Sequence, residues 1–297
     1  MKAVPRLAFI LLGAFSALGI AEMSLQVFGD GLPVRSVWPT VETRLKSSQL
    51  ADADQWDVIF LGSSITEAAV DPRLLDGMNA YNGALPFSTP ISHEVWYRGQ
   101  FPDEEARVVV LGLPAWPFHE SDDEDLLVSG IEAALREGAS VESPLATIRL
   151  RGVMADWFGL RSTQATLESN LWTPQGHLTA YYEIAGETAG PVASFGPPRM
   201  SEDVRAAITR LADYVQLQGG TFVLMIEPAR FPGEVGDDVV QRYLATVRDL
   251  ANDLQVELWD TYSVGWADDL YADEVHFNRE GTVAFSELVY ELLEELP

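Results

Sequence analysis

Cysteine is absent from the 297 residues, which removes disulfides, thiolate metal sites and cysteine nucleophiles together. Any nucleophile must therefore be a hydroxyl. Basic residues are scarce: 19 Lys plus Arg stand against 45 Asp plus Glu, a formal net charge of −26. A field of that sign repels phosphate backbones and anionic headgroups, so nucleic-acid binding is excluded. Lysine is almost missing, with only Lys2 and Lys46, and the acids are spread along the chain as a solvated shell suited to high salt. No glycine-rich phosphate cradle occurs, which argues against a phosphoryl-binding protein. Among the histidines, no two of His93, His119 and His177 share metal-ligand spacing. Neither a metal nor an organic cofactor is called for.

With 47% hydrophobic and 22% charged residues, the chain can bury a real core and is not a disordered tail. Lys2 and Arg6 precede an apolar stretch, residues 7–21 (LAFILLGAFSALGIA), that suits entry into a bilayer. We therefore expect residues 1–28 to be a signal peptide or membrane anchor and residues 29–297 to lie outside the cytoplasm as one domain. A retained anchor, continued through Leu25, Val27 and Phe28, is preferred to cleavage after Gly19-Ile20-Ala21. The plain alternative is a buried N-terminal helix of a cytosolic protein.

Residues 34–54 are polar and read as a lead-in. After them, short buried-strand patterns fall at 57–61, 80–81, 108–111, 221–226 and 256–259. Helical spacing covers 121–136, 201–218, 239–254 and 282–293, the second opening on Ser-Glu-Asp and stopping at Gly219-Gly220. Alternating strands and helices imply an α/β protein, a three-layer α/β/α sandwich with a parallel sheet of about five strands. Residues 138–200, with Trp157, Trp172, Tyr181 and Tyr182, read as an insertion between the third and fourth strands. So few long apolar runs would make a poor separate core.

Two stretches carry the chemistry. In FLGSSITE, residues 60–67, a buried strand passes through a glycine into two serines and a helix-compatible segment. A serine there lies at the carboxyl end of a parallel strand, where ligands of such sheets bind; Ser63 or Ser64 could equally be only a helix cap. In DEVHFN, residues 273–278, Asp273 and His276 are three apart and can share one turn, although a loop histidine is the bland explanation. Together they supply hydroxyl, carboxylate and imidazole at one sheet edge, the set that a nucleophilic triad needs.

On these residues the sequence resembles the SGNH (GDSL-type) hydrolase superfamily. Gly62-Ser63-Ser64-Ile65 is similar to its G-D-S-[LI] block, with Ser63 where aspartate is usual, and Asp273 to His276 is similar to its D-x-x-H block. The resemblance implies a flavodoxin-like sheet, Ser64 as nucleophile, His276 as general base and Asp273 as its orienting partner. The Gly-Ser-Ser start and the N-terminal segment resemble the membrane-attached branch, similar to proteins of teichoic-acid alanylation and alginate acetylation.

The oxyanion-hole blocks fit less well. Asn82 matches the asparagine of the second block, but its glycine position falls on Phe87, with Gly83 the nearby substitute. The expected donors are thus the N–H groups of Ser64, Gly83 and Phe87. The third block's asparagine is missing from GLPAWPF, residues 112–118. His119 could donate to an oxyanion or lie on the surface. Glu227, ending the fourth strand, is a cleft acid or, by preference, a solvated strand end. Trp157 and Trp172 could stack on sugars but are more often core residues. The expected function is an extracytoplasmic, membrane-tethered serine esterase or O-acyltransferase acting on O-acyl esters of a cell-envelope glycan or a small molecule. The alternative is a non-catalytic glycan-binding or assembly component.

Overall fold

The three central strands of the sheet are apolar on both faces, because helices cover both sides. In the computed structural model, β1 (Val58–Leu61), β2 (Ala80–Asn82), β3 (Val108–Leu113), β4 (Thr221–Ile226) and β5 (Glu257–Asp260) form one sheet in the order β2-β1-β3-β4-β5. All neighbours are parallel, with Val58 opposite Ala80 and Val108, and Val108 opposite Thr221. The helices are α1 (Ser64–Ala69), α2 (Pro90–Gln100), α3 (Glu202–Leu217), α4 (Asp237–Leu254) and α5 (Arg279–Glu294). The structure describes residues 43, 46–47, 49–50, 56–86, 88–101, 108–114, 128, 131, 173, 175–179, 200–229, 237–273 and 275–296, all within the compact unit Pro39–Pro297.

Side chains alternate across each strand, and the two faces build two cores. Ile59, Leu61, Val109, Leu111, Phe222 and Leu224 pack with Trp96 and Tyr97 of α2, Leu211 of α3 and Leu244 of α4. Val58, Phe60, Val110, Val223 and Met225 pack with Ala69 of α1 and Phe285 and Val289 of α5. This is the expected three-layer α/β/α sandwich. Each large apolar side chain so buried contributes about 1.5–3 kcal/mol.

Boundaries moved by only a few residues. The helix expected at 201–218 is α3, capped by Ser201, whose hydroxyl accepts from the Val204 N–H at 3.2 Å. The helices expected at 239–254 and 282–293 are α4 and α5, each starting earlier. Of the helix expected at 121–136, the described residues Val128 and Ile131 are helical, and Ile131 is buried. The membrane segment at 1–28 lies outside the described residues; among those described, no helix is long and apolar enough to cross a membrane.

Two segments are more engaged than their polarity suggested. In the lead-in, Thr43 and Lys46 are fully buried. Lys46 Nζ pairs with Glu67 at 2.9 Å and also donates to the Ala84 carbonyl, which lets a lysine sit in the interior. Within 138–200, a short piece around residues 173–179 covers the edge of β2: the Asn82 N–H donates to the Gln175 carbonyl at 2.8 Å. All three residues of β2 are therefore buried although it is an edge strand. Trp157, Trp172, Tyr181 and Tyr182 lie outside the described residues.

Candidate active site

Ser64 and His276 are 212 positions apart in sequence, and packing of α5 against α1 brings them together. Thr282 Oγ1 of α5 donates to the Ala68 carbonyl of α1 at 3.0 Å, and the Asp71 N–H donates to Ser286 Oγ at 3.0 Å. The loop leading into α5 is closed by an antiparallel bridge between Tyr271 and Phe277. Asn278 then caps α5, its side-chain oxygen accepting from the Glu280 and Gly281 N–H groups at 3.0 Å. A rigid cap and a closed loop hold the intervening residues over the start of α1.

Those residues include the carboxylate and the imidazole. Asp273 Oδ2 lies 2.8 Å from His276 Nδ1, and His276 Nε2 lies 2.9 Å from Ser64 Oγ. The other oxygen, Oδ1, accepts from the Val275 and His276 N–H groups at 2.9 and 2.8 Å. Partial burial pushes the Asp273 carboxyl up, but the hydrogen bond and charge of His276 and the two backbone donors outweigh it and hold it below its ordinary value. An ionised carboxylate only accepts, so Nδ1 carries the ring proton and Nε2 is free to accept from the Ser64 hydroxyl. The three sequence-predicted residues thus form one continuous hydrogen-bonded chain.

Beneath them lies a residue that the sequence reading placed in solvent. Glu227 is fully buried, not a solvated strand end. Its Oε1 accepts from the Ser63 N–H at 2.8 Å and Thr66 Oγ1 at 2.6 Å, and its Oε2 accepts from Ser63 Oγ at 2.7 Å. Burial pushes its pKa up, opposed by the bonds from Thr66 and Ser63. The close fit explains Gly62 and Gly112: a Cβ on either would lie 2.8 Å from Glu227 Oε1 and closer still to Thr66 Oγ1. Gly62 also has φ of +152°, a conformation that L side chains rarely adopt. Ser63 serves as the cap of α1, its Oγ accepting from the Ile65 N–H at 3.1 Å.

The expected oxyanion donors divide. The Ser64 N–H opens α1, where intrahelical partners are lacking. Gly83 is a correction: its N–H donates to the Phe60 carbonyl at 2.7 Å and extends the strand pairing, so it has no proton to offer an oxyanion. Its lack of a side chain serves packing instead, since a Cβ would strike the Trp96 ring at 2.7 Å. Phe87 lies outside the described residues, as do His119 and residues 115–118 of the third block. Asn82 is structural, donating to the carbonyls of Thr66 and Val70 at 3.0 and 2.8 Å.

His93 and His177 are interior. Burial lowers His93 to about 3 and His177 to about 4, so both are neutral. Among the described residues, no cluster of His, Asp and Glu is arranged to hold a metal ion. Of the groups around the site, sequence reasoning missed the buried state of Glu227, His93 and Lys46. The available signal was that Glu227 directly continues an unbroken apolar strand into a proline, which keeps it near the sheet rather than on a free loop.

Compared with known protein families and with curated proteins, the sequence matches none. Solved structures do resemble it. A Streptococcus pneumonia protein provisionally described as a platelet activating factor is 11% identical, with 92% of this chain and 99% of that one covered at a TM-score of 0.50. A GDSL-like lipase from Bacteroides thetaiotaomicron is 13% identical, covering 86% and 98% at 0.47. A carbohydrate acetylesterase from Sinorhizobium meliloti is 9% identical, covering 81% and 99% at 0.42. At these identities the likeness is one of fold, a parallel α/β/α sandwich.

Proposed function

We propose that the protein is a serine ester hydrolase or O-acyltransferase with Ser64 as nucleophile. The observation that carries this reading is the unbroken chain from Ser64 Oγ through His276 to Asp273, at 2.9 and 2.8 Å. A serine hydroxyl is a weak nucleophile at neutral pH and needs a base within hydrogen-bond reach, itself held by a third group. All three conditions are met here.

In the first half-reaction Ser64 Oγ bonds to the ester carbonyl carbon while its proton passes to His276 Nε2. The carbonyl oxygen becomes an oxyanion, for which the Ser64 N–H is one donor. Asp273 stabilises the imidazolium through Nδ1–H without taking the proton. Collapse breaks the bond to the alkoxy oxygen, which leaves as an alcohol with the proton from Nε2. Water, or a hydroxyl of an acceptor, then adds to the acyl carbon and gives its proton to His276 Nε2; collapse breaks the bond from that carbon to Ser64 Oγ, which takes the proton back from Nε2, and the acid or the new ester leaves. Asp273 and the closed loop keep one ring face toward Ser64 through both halves.

The acyl donor in this reading is an O-acyl, acetyl-like ester of a cell-envelope glycan or a small molecule. The protein acts outside the cytoplasm, tethered by residues 1–28. Support for the location is the positively led apolar stretch at 7–21; support against a polyanionic substrate is the net charge of −26. Both hydrolysis and transfer use the same first half-reaction, and the choice between them depends on exclusion of water.

The test is labelling of the purified protein with a fluorophosphonate followed by peptide mapping, together with hydrolysis of p-nitrophenyl acetate by wild type and Ser64→Ala. An adduct on Ser64 and turnover that disappears in Ser64→Ala are expected. No adduct and no turnover in wild type, with glycan binding intact, would replace the enzyme by a binding or assembly component.

A further inference from the structure

The peptide group joining Gly62 to Ser63 lies one residue ahead of the Ser63–Ser64 link to the attacking serine, and both its polar ends are held by buried groups. Its N–H donates to Glu227 Oε1 at 2.8 Å. Its carbonyl oxygen accepts from the Leu85 N–H at 2.9 Å and from His93 Nε2 at 2.8 Å, with Ser88 Oγ 3.0 Å away. Glu227 ends β4, His93 lies in α2, and Leu85 and Ser88 belong to the loop after β2. Three elements therefore converge on one peptide plane from opposite sides.

Neither side chain is an economical way to fill space. Glu227 is 0% and His93 1% exposed, and burying a carboxyl and an imidazole is costly unless their hydrogen bonds do something that an apolar side chain cannot. The hydrogen-bonded chain from Ser64 through His276 to Asp273 runs through neither side chain. His93 Nε2 lies 2.8 Å from the Gly62 carbonyl and 2.6 Å from Ser88 Oγ; a carbonyl only accepts, so Nε2 carries the ring proton between these two oxygens, and the bare Nδ1 is buried without a partner. The imidazole has given up hydrogen bonding on one side to hold Gly62 on the other. Turning this peptide plane would swing the Cα of Ser63 and, through the next peptide, the Ser64 hydroxyl that must stay 2.9 Å from His276.

We infer that Glu227 and His93 are positioning residues that grip opposite ends of the Gly62–Ser63 peptide and so aim the Ser64 hydroxyl at His276. The inference rests on Ser64 being the nucleophile. Glu227 also anchors Thr66 Oγ1 at 2.6 Å, within the first turn of α1, so the same carboxyl holds a peptide ahead of the nucleophile and the helix after it.

The full chain is tested as wild type, Glu227→Leu, His93→Phe, His93→Gln and the double variant Glu227→Leu/His93→Phe. The rate of Ser64 labelling by a fluorophosphonate, kcat and KM for p-nitrophenyl acetate, and the melting temperature are measured on folded protein. Misplacement of a reacting group by about 1 Å can cost on the order of 100-fold. Glu227→Leu, which removes the acceptor of the Ser63 N–H, and His93→Phe are each expected to lower labelling and kcat by about 10-fold or more with KM changed by less than about 2-fold. His93→Gln, which keeps an N–H for the Gly62 carbonyl, should recover much of the loss. The double variant should lose less than the product of the single losses, because either change frees the same peptide.

Folded variants that label at the wild-type rate overturn the inference, as does a loss confined to KM. If Glu227→Leu does not fold, Thr66→Val decides: it removes one donor to the carboxyl, and a labelling rate about 3-fold lower supports the inference, whereas an unchanged rate overturns it. Should wild type itself leave Ser64 unlabelled, the nucleophile reading fails and the positioning role falls with it. A labelled wild type with indifferent variants removes the positioning role alone.

Discussion

His93 is held neutral by burial, at about 3, and that has a thermodynamic price in acid. Unfolded histidine titrates near 6.5, so between about pH 6.5 and pH 3 the unfolded chain binds a proton that the folded chain does not. Stability from this residue is complete above about 6.5 and is lost as pH falls, with a slope approaching about 1.4 kcal/mol per pH unit. Urea unfolding between pH 4 and 7 should show a shallower decline for His93→Gln than for wild type; parallel curves would mean that the imidazole is not the group resisting protonation. Asp273 and His276 were legible in the sequence because they sit on one turn, three residues apart. Glu227 and His93 were not, because an acid at a strand end or an imidazole in a helix is spelled the same whether it faces water or the interior.

At the scale of elements, the turn from β1 into α1 is the most constrained. Gly62→Ala combines an unfavourable φ of +152° with a Cβ placed 2.8 Å from Glu227 Oε1, and strain plus overpacking should cost roughly 2–5 kcal/mol. Calorimetry should show a clear fall in melting temperature, and an unchanged one would mean that the turn relaxes at no cost. The lead-in helical residues give a second expectation. Lys46→Met removes the cation 2.9 Å from Glu67, both side chains being fully buried, and breaking such a pair from one side typically costs about 3–5 kcal/mol. Adding Glu67→Gln should return part of that loss in the same unfolding assay; a double variant no better than Lys46→Met would assign the loss to packing. Caps and stops were readable here, as Ser201 and Gly219 mark the ends of α3. The docking of Thr43, Lys46 and Ser47 was not, because the polar sequence hides a lysine paired in the interior.

For the whole molecule, a net charge of −26 opposes compaction through self-repulsion. Raising NaCl shrinks the screening length from about 30 Å at 0.01 M to about 3 Å at 1 M, so the melting temperature should climb with salt, and a flat profile would show that the acids are spaced widely enough not to matter. Fold class and layer number were already determined by the sequence, since strands buried on both faces must be apolar throughout and helices covering them must repeat every three to four residues. The two chemical motifs were likewise local, each contained in a few consecutive residues. Only the tertiary structure decided that Ser64 meets His276, that Glu227 from β4 reaches Ser63 across 164 positions, and that the Gly83 N–H is spent on Phe60. Those outcomes depend on how α5 lies along α1 and how the sheet orders its strands, and packing between distant segments leaves no periodic trace in any one of them.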